Sequence, residues 1–160
     1  MSVQKIFIGA DHRGFLSKKK IVERLSSEGY TIEDLGTHVE GEMCDYPMIA
    51  LAVAGKVAKS RNAYGILLCM SGLGQAIAAN KVPGAYAALC YNAEAAAFSR
   101  QHNNANVLVL GTKYITEKQM FDIVHSFLNA KFEGGRHLRR VKQIKKIEKE
   151  FCCIKNKKSR

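Results

Sequence analysis

With 160 residues, 47% of them hydrophobic, the chain is long enough for one domain that buries roughly two thirds of its unfolded surface; its five cysteines (44, 69, 90, 152 and 153) are odd in number and lack a CxxC pair, which argues against a disulfide framework or a cysteine zinc site and for a reducing, cytoplasmic compartment. No apolar run reaches the ~20 residues of a membrane span, and residues 1–30 lack an apolar signal core, so neither membrane insertion nor targeting is expected. The formal charge of +11 is concentrated in residues 136–160, where eleven Lys or Arg face only Glu148 and Glu150; this reads as the solvated face of a terminal segment, and no nucleic-acid partner is expected.

In chain order, strand and helix signals alternate. Lys5–Gly9 is a short apolar run closed by glycine, and Ala10–Gly14 is the loop at its carboxyl end. Phe15, Leu16, Ile21, Val22 and Leu25 predict the apolar side of a helix ending at Gly29, and Tyr30–Leu35 a second strand. After a polar loop to Cys44, Asp45-Tyr46-Pro47 predicts a helix start, with Ile49, Ala50, Val53, Ala54 and Val57 as its buried stripe. Gly65–Cys69 reads as a strand buried on both faces, and the turn Met70–Gly74 opens an Ala-rich helix.

Pro83-Gly84 breaks the chain before a fourth strand, Ala85–Cys90, and Asn92 caps the helix that follows. Asn106–Leu110 is a fifth strand, and Thr116 with Gln119 forms a capping box for a helix burying Met120, Ile123, Val124 and Phe127. Beyond the Gly134-Gly135 hinge, Leu138, Val141, Ile144, Ile147 and Phe151 recur every three or four residues, so a last amphipathic helix docks on something. The expectation is an α/β fold, a Rossmann-like three-layer αβα sandwich around a five-stranded parallel sheet. Residues 1–151 form a single domain and 152–160 a frayed basic tail.

Fold alone does not assign chemistry. Gly72-x-Gly74 is followed by Ile77 where a dinucleotide fingerprint needs a third glycine, and no Gly-Lys-Ser/Thr is present for a P-loop. Cys69, at a strand end and before a helix, is by default a small buried hydrophobe, but the helix N-terminus there stabilises a thiolate usable as a base near neutral pH. The loops after strands one, three and four are expected to meet at one sheet edge, bringing Asp11, His12, Cys69 and His102 around one small ligand. Arg136 and Arg140, one helical turn apart at a sharp turn, suit a phosphate. No His/Asp/Glu cluster has metal-ligand spacing, so neither metal nor organic cofactor is expected.

Six motifs in order, Gly9-Ala10-Asp11-His12, Asp45-Tyr46-Pro47, Cys69-x-Ser71-Gly72-x-Gly74, Ala78-Ala79-Asn80-Lys81, Ser99-Arg100-x-His102-Asn103-x-x-Asn106-Val107-Leu108 and Gly134-Gly135-Arg136-His137-x-x-Arg140, resemble the type B ribose-5-phosphate isomerases. That resemblance implies interconversion of D-ribose 5-phosphate and D-ribulose 5-phosphate in the non-oxidative pentose phosphate pathway. It also implies a homodimer, sometimes paired into a tetramer, with active sites shared between subunits and the C-terminal helix as a dimerisation element. Cys69 would be the base of a cis-enediolate mechanism, with Ser71 at the reacting oxygens. The backbone N–H groups of Met70, Ser71, Gly72, Leu73 and Gly74 would be an anion hole. His102 would open the sugar ring with Asp11 beside it, Tyr46 and Asn103 would enclose the sugar, and His12, Lys113, Arg136 and Arg140 would hold the phosphate.

The wider family includes isomerases of six-carbon aldose phosphates such as allose 6-phosphate and galactose 6-phosphate, which stay open as substrates. A non-enzymatic sugar-phosphate or nucleic-acid binder on the same fold is the competing class. Met70 stands where similar proteins carry glycine and would be strained if its φ were positive. Lys113 and Tyr86 stand where many carry arginine.

Overall fold

The apolar runs become the strands of one parallel sheet in a computed structural model that describes the backbone of residues 5–157 and side-chain burial for residues 5–151. The elements are β1 (Lys5–Ala10), α1 (Phe15–Ser27), β2 (Thr31–Asp34), α2 (Tyr46–Ala58), β3 (Ala63–Cys69), α3 (Leu73–Ala79), β4 (Ala87–Leu89), α4 (Ala93–Asn103), β5 (Val107–Gly111), α5 (Glu117–Asn129) and α6 (Gly135–Lys157). The spatial order is β2-β1-β3-β5-β4 and every pairing is parallel.

Ile6, Ile8, Ile66, Leu68, Leu108 and Leu110 pack on one face against Ile21 and Leu25 of α1 and Ile123, Val124 and Phe127 of α5. Phe7, Leu67, Val107 and Val109 pack on the other against Ile49, Ala50, Val53 and Val57 of α2. These alternating residues on both faces are what a doubly covered parallel sheet requires, and the three-layer sandwich is as expected.

The local stop and start signals act as read. Asn92 accepts the N–H of Ala95 at 2.7 Å, the Thr116–Gln119 capping box is complete, Pro47 lies in the first turn of α2, and Gly29 takes φ +89 after α1. Three readings differ. The fourth strand shortens to Ala87–Leu89 because Tyr86 N–H is taken by the Asn106 side chain at 2.7 Å instead of a ladder partner. Leu16 is exposed at 57%, while Lys18 is buried and bonded to Asp34 Oδ1 at 2.9 Å and to the Thr37 carbonyl; a paired ammonium on a long apolar stem can enter a core that periodicity assigns to leucine. The last helix continues to Lys157, without a break at residue 151.

Two features of this layout position function. In the sheet order the strands are added on one side of β1 (β2) and then on the other (β3), and the crevice beyond the carboxyl ends at this switch is where ligands bind in open α/β sheets. Helix α4 runs back against the strands, so its carboxyl end lies by the start of β5: Ala105 N–H bonds Ser99 and Gly65 N–H bonds the Asn106 carbonyl. Cys69 pairs with Gly111 at the other end of that strand. Five steps from Asn106 to Gly111 at ~3.3 Å each separate the two ends by roughly 16 Å.

Candidate active site

At the carboxyl edge the site is assembled from backbone. Asp11, 6% exposed, follows β1 and folds back so that Oδ1 accepts Arg13 N–H at 2.9 Å and Gly14 N–H at 3.1 Å, an Asx turn that holds the carboxylate. Beside it His12 keeps Nδ1 buried and unpartnered among the described residues. Cys69 ends β3, also 6% exposed, and its Sγ accepts Gly72 N–H at 3.1 Å. Gly72 has φ +82, and a Cβ there would lie 2.4 Å from Leu89 Cδ1, so this turn admits no side chain at that position.

The turn is braced from three sides. Met70 accepts Lys113 N–H at 3.0 Å through its carbonyl, the Ser71 carbonyl accepts the Tyr91 hydroxyl at 2.9 Å, and Ser71 Oγ accepts Leu73 N–H at 3.4 Å. A Cβ on Gly74 would strike the Tyr46 ring at 2.4 Å, so the bare glycine is what lets Tyr46 lie across the helix start. Asp11, His12, Tyr46, Cys69, the Met70–Gly74 turn and Lys113 are therefore together.

Two expectations about this turn change. Met70 carries no strain, since Asn104 is the only non-glycine with positive φ among the described residues; the left-handed position is Gly72. Burial pushes the Cys69 thiol above its ordinary value, outweighing the N–H groups of Gly72, Ser71 and Gln75 that favour the thiolate, and the Asp11 charge pushes the same way. The expected stabilised thiolate is overridden because the strand end is dry and α3 is only two turns long.

His102, Asn103, Arg136 and Arg140 lie at the other edge. The expected meeting of His102 with Cys69 on one edge does not occur within the chain, because His102 ends a helix that has already crossed the sheet. It stacks between Phe98, at 4.8 Å and 15°, and His137, at 4.2 Å and 3°. Gly134 and Gly135, at φ +70 and +52, turn the chain into α6, which sets His137 inside and leaves Arg136 and Arg140 exposed. Burial, His102 and the adjacent guanidinium groups hold His137 below the ordinary histidine value. Glu133 Oε2 lies 3.8 Å from His102 Nε2 and 3.6 Å from His137 Nε2.

Sequence reasoning missed His137, Glu133 and Gln75. His137 stands in the last of the six motifs without a role, and Glu133 precedes it by four residues, in the connection just before α6. Gln75 is fully buried in α3 with neither amide atom partnered among the described residues; no spacing rule announces it. A cleft of about 840 Å³ lies away from Cys69, under α6, between Tyr64, Tyr86, Arg100, Asn106 and Glu148. Tyr86 belongs to that cleft.

Comparison with known proteins is consistent with this geometry. The model of the Ribose/Galactose Isomerase family matches residues 6–144. A probable ribose-5-phosphate isomerase B of Mycoplasma genitalium is 46% identical over 146 residues, covering 91% of this chain and 96% of the relative. Ribose-5-phosphate isomerase B of Escherichia coli is 42% identical, covering 91% and 97%. The structure of the Mycoplasma genitalium enzyme with bound ribulose-5-phosphate superposes with a TM-score of 0.89 at 46% identity, over 94% of this chain and 99% of that one. The Clostridium thermocellum enzyme gives 0.89 at 46%, over 92% and 99%. On the length and closeness of these matches, together with the strand-end cysteine turn, the chain belongs to the ribose/galactose isomerase family.

Proposed function

We propose that this protein interconverts D-ribose 5-phosphate and D-ribulose 5-phosphate in the cytoplasm, with Cys69 as the base. The observation that carries the reading is the buried Cys69 sulfur at the mouth of a turn whose N–H groups already point at it. A base for a carbon acid needs a neighbour that stabilises the enediolate as it forms, and an amide-lined turn at a helix start supplies this in a dry site.

In the open-chain aldose, the thiolate takes the C2 proton while the C1 carbonyl electrons move onto oxygen. The resulting cis-enediolate rests against the 70–74 amides and the Ser71 hydroxyl. The C2 hydroxyl proton passes to the C1 oxygen, and the same thiol returns its proton to C1, so the C2 oxygen becomes the ketone and the C1 oxygen the hydroxyl. His102 donates the proton that opens the furanose, with Asp11 at the ring hydroxyls, and Tyr46 and Asn103 enclose the sugar. His12, Lys113, Arg136 and Arg140 hold the phosphate, which fixes C1 and C2 over the sulfur.

Two copies of the chain complete each site. The separation of Cys69 from His102 supports this, as does the apolar surface around both. Leu138, Ile144, Ile147 and Phe151 of α6 are 41–67% exposed, with only Val141 of that stripe buried. Met70, Leu73 and Ile77 are 44–64% exposed at the other edge. Packing the carboxyl edge of one subunit against the His102 edge of another covers both surfaces and brings acid and base together.

NMR of the protein with D-ribose 5-phosphate in D2O tests the reaction. Ribulose 5-phosphate should form with solvent deuterium at C1, and Cys69→Ala should abolish both conversion and exchange while phosphate-ligand affinity persists. Absence of conversion by the wild type overturns the ribose assignment, and six-carbon aldose phosphates are the substrates to try next.

A further inference from the structure

His102, Glu133 and His137 come from the end of α4, the connection before α6 and the first turn of α6, and their donor atoms all lie within 4.8 Å of one another. Spacing along the sequence does not announce this grouping, which the fold assembles from separate elements. We propose that these three side chains form a binding site for a divalent transition metal of the zinc class, and that filling it inhibits the isomerase by capturing His102. The inhibitory half rests on the ring-opening role given to His102 above; the binding half does not.

The donor separations favour the assignment. A tetrahedral ion with bonds of ~2.0–2.1 Å holds its donors roughly 3.4 Å apart. The two histidine–carboxylate separations, 3.8 and 3.6 Å, are already close to that edge. The imidazole planes are stacked within 3° of parallel, so one ring turns about its Cβ–Cγ bond for both in-plane Nε2 lone pairs to reach one ion. His137 Nε2 accepts Arg136 Nε–H at 3.4 Å, so this nitrogen carries the lone pair that a metal needs. Arg136 is exposed, and its long side chain swings out as the ion enters.

The main chain that carries these groups is tied down before any ion arrives. Phe98 backs the His102 ring, Glu133 N–H bonds the Gln101 carbonyl at 3.0 Å, and His137 N–H bonds the Gly134 carbonyl at 3.0 Å. Two imidazoles and one carboxylate select zinc, nickel or copper over magnesium and calcium, and three protein ligands leave a fourth position for water. Arg136 and Arg140 oppose a dication, which makes the site a reversible trap instead of a structural centre.

The test titrates the full chain with Co²⁺, whose visible spectrum reports coordination, and with Zn²⁺ during turnover. Glu133→Gln replaces a half-exposed carboxylate and should fold; His137→Asn is the second variant. Each variant is scored by the ratio of its activities with and without zinc. The expected result is a four- or five-coordinate cobalt spectrum without thiolate charge transfer, and zinc inhibition of ribose 5-phosphate turnover that EDTA reverses. Glu133→Gln should raise the half-inhibiting zinc concentration at least about tenfold. Deuterium exchange at C1 of ribulose 5-phosphate, which needs no ring opening, should survive under zinc at substrate concentrations that saturate the enzyme without Arg136 on the phosphate. Equal inhibition of wild type and Glu133→Gln, a cobalt–thiolate band, or absence of cobalt binding overturns the site. Cobalt binding that Glu133→Gln abolishes, with zinc leaving ribose 5-phosphate turnover untouched, overturns the inhibition and the role of His102 while the site itself stands.

Discussion

The two edges of the sheet, to which the proposed mechanism assigns the two halves of the chemistry, are built in different ways. Around Cys69 the functional groups are mostly main chain: a strand end, a left-handed glycine and the first amides of α3, braced by hydrogen bonds to Lys113 and Tyr91. Around His102 they are side chains on two helices, held by ring stacking and by a diglycine turn. A developing anion needs donors that do not reorganise, which backbone supplies. A proton donor and a phosphate clamp need titratable or charged side chains, and these tolerate the looser edge.

The largest way to break this comparison is to remove one group from each half. Cys69→Ala should lower kcat by about 10³-fold or more in both directions, whereas His102→Ala should cost about 10²-fold from ribose 5-phosphate and little in C1 exchange of ribulose 5-phosphate. Equal losses in both assays would put His102 in the proton-transfer step and sink the division of labour.

Mixing the two inactive proteins sharpens it further. If each site takes Cys69 from one subunit and His102 from the other, random re-pairing makes half the dimers mixed. Each mixed dimer has one intact site, so about a quarter of wild-type activity returns. No recovery after denaturation and joint refolding would show that the halves are not combined across subunits.

The apolar stripe of α6 is the next lever. Ile147→Asp places a charge on a face that is 55% exposed in the single chain. The expected result is a monomer in sedimentation analysis with its melting temperature nearly unchanged and its isomerase activity lost. A folded monomer that kept full activity would place a complete site within one chain.

The smallest effect is a pH shift in the Cys69 half alone. Burial and the Asp11 charge raise the thiol above its ordinary value, so the reactive thiolate becomes more abundant as pH rises and kcat/KM climbs on its alkaline side. Asp11→Asn preserves the Oδ1 acceptor of the Asx turn but removes the charge. Its climbing limb should therefore move to lower pH, even as its maximum falls, and a limb that stays in place would show that Asp11 does not act on the sulfur.

The elements and the Cys69 half were legible in the sequence because their determinants are local. Alternating apolar runs, Asn92, the Thr116–Gln119 box and the Cys69-x-Ser71-Gly72-x-Gly74 turn each act within a few residues, and backbone geometry at that range depends on residue type. The tertiary structure alone decided what depended on direction and burial. It sent α4 back across the sheet and so parted His102 from Cys69. It dried the strand end until desolvation outweighed the backbone N–H groups on the thiol. It also enclosed Lys18 with Asp34, buried Gln75 and stacked His137 on His102. Local sequence sets which conformations a segment prefers; the solvent each side chain loses, and the distant group it meets, are properties of the packed whole.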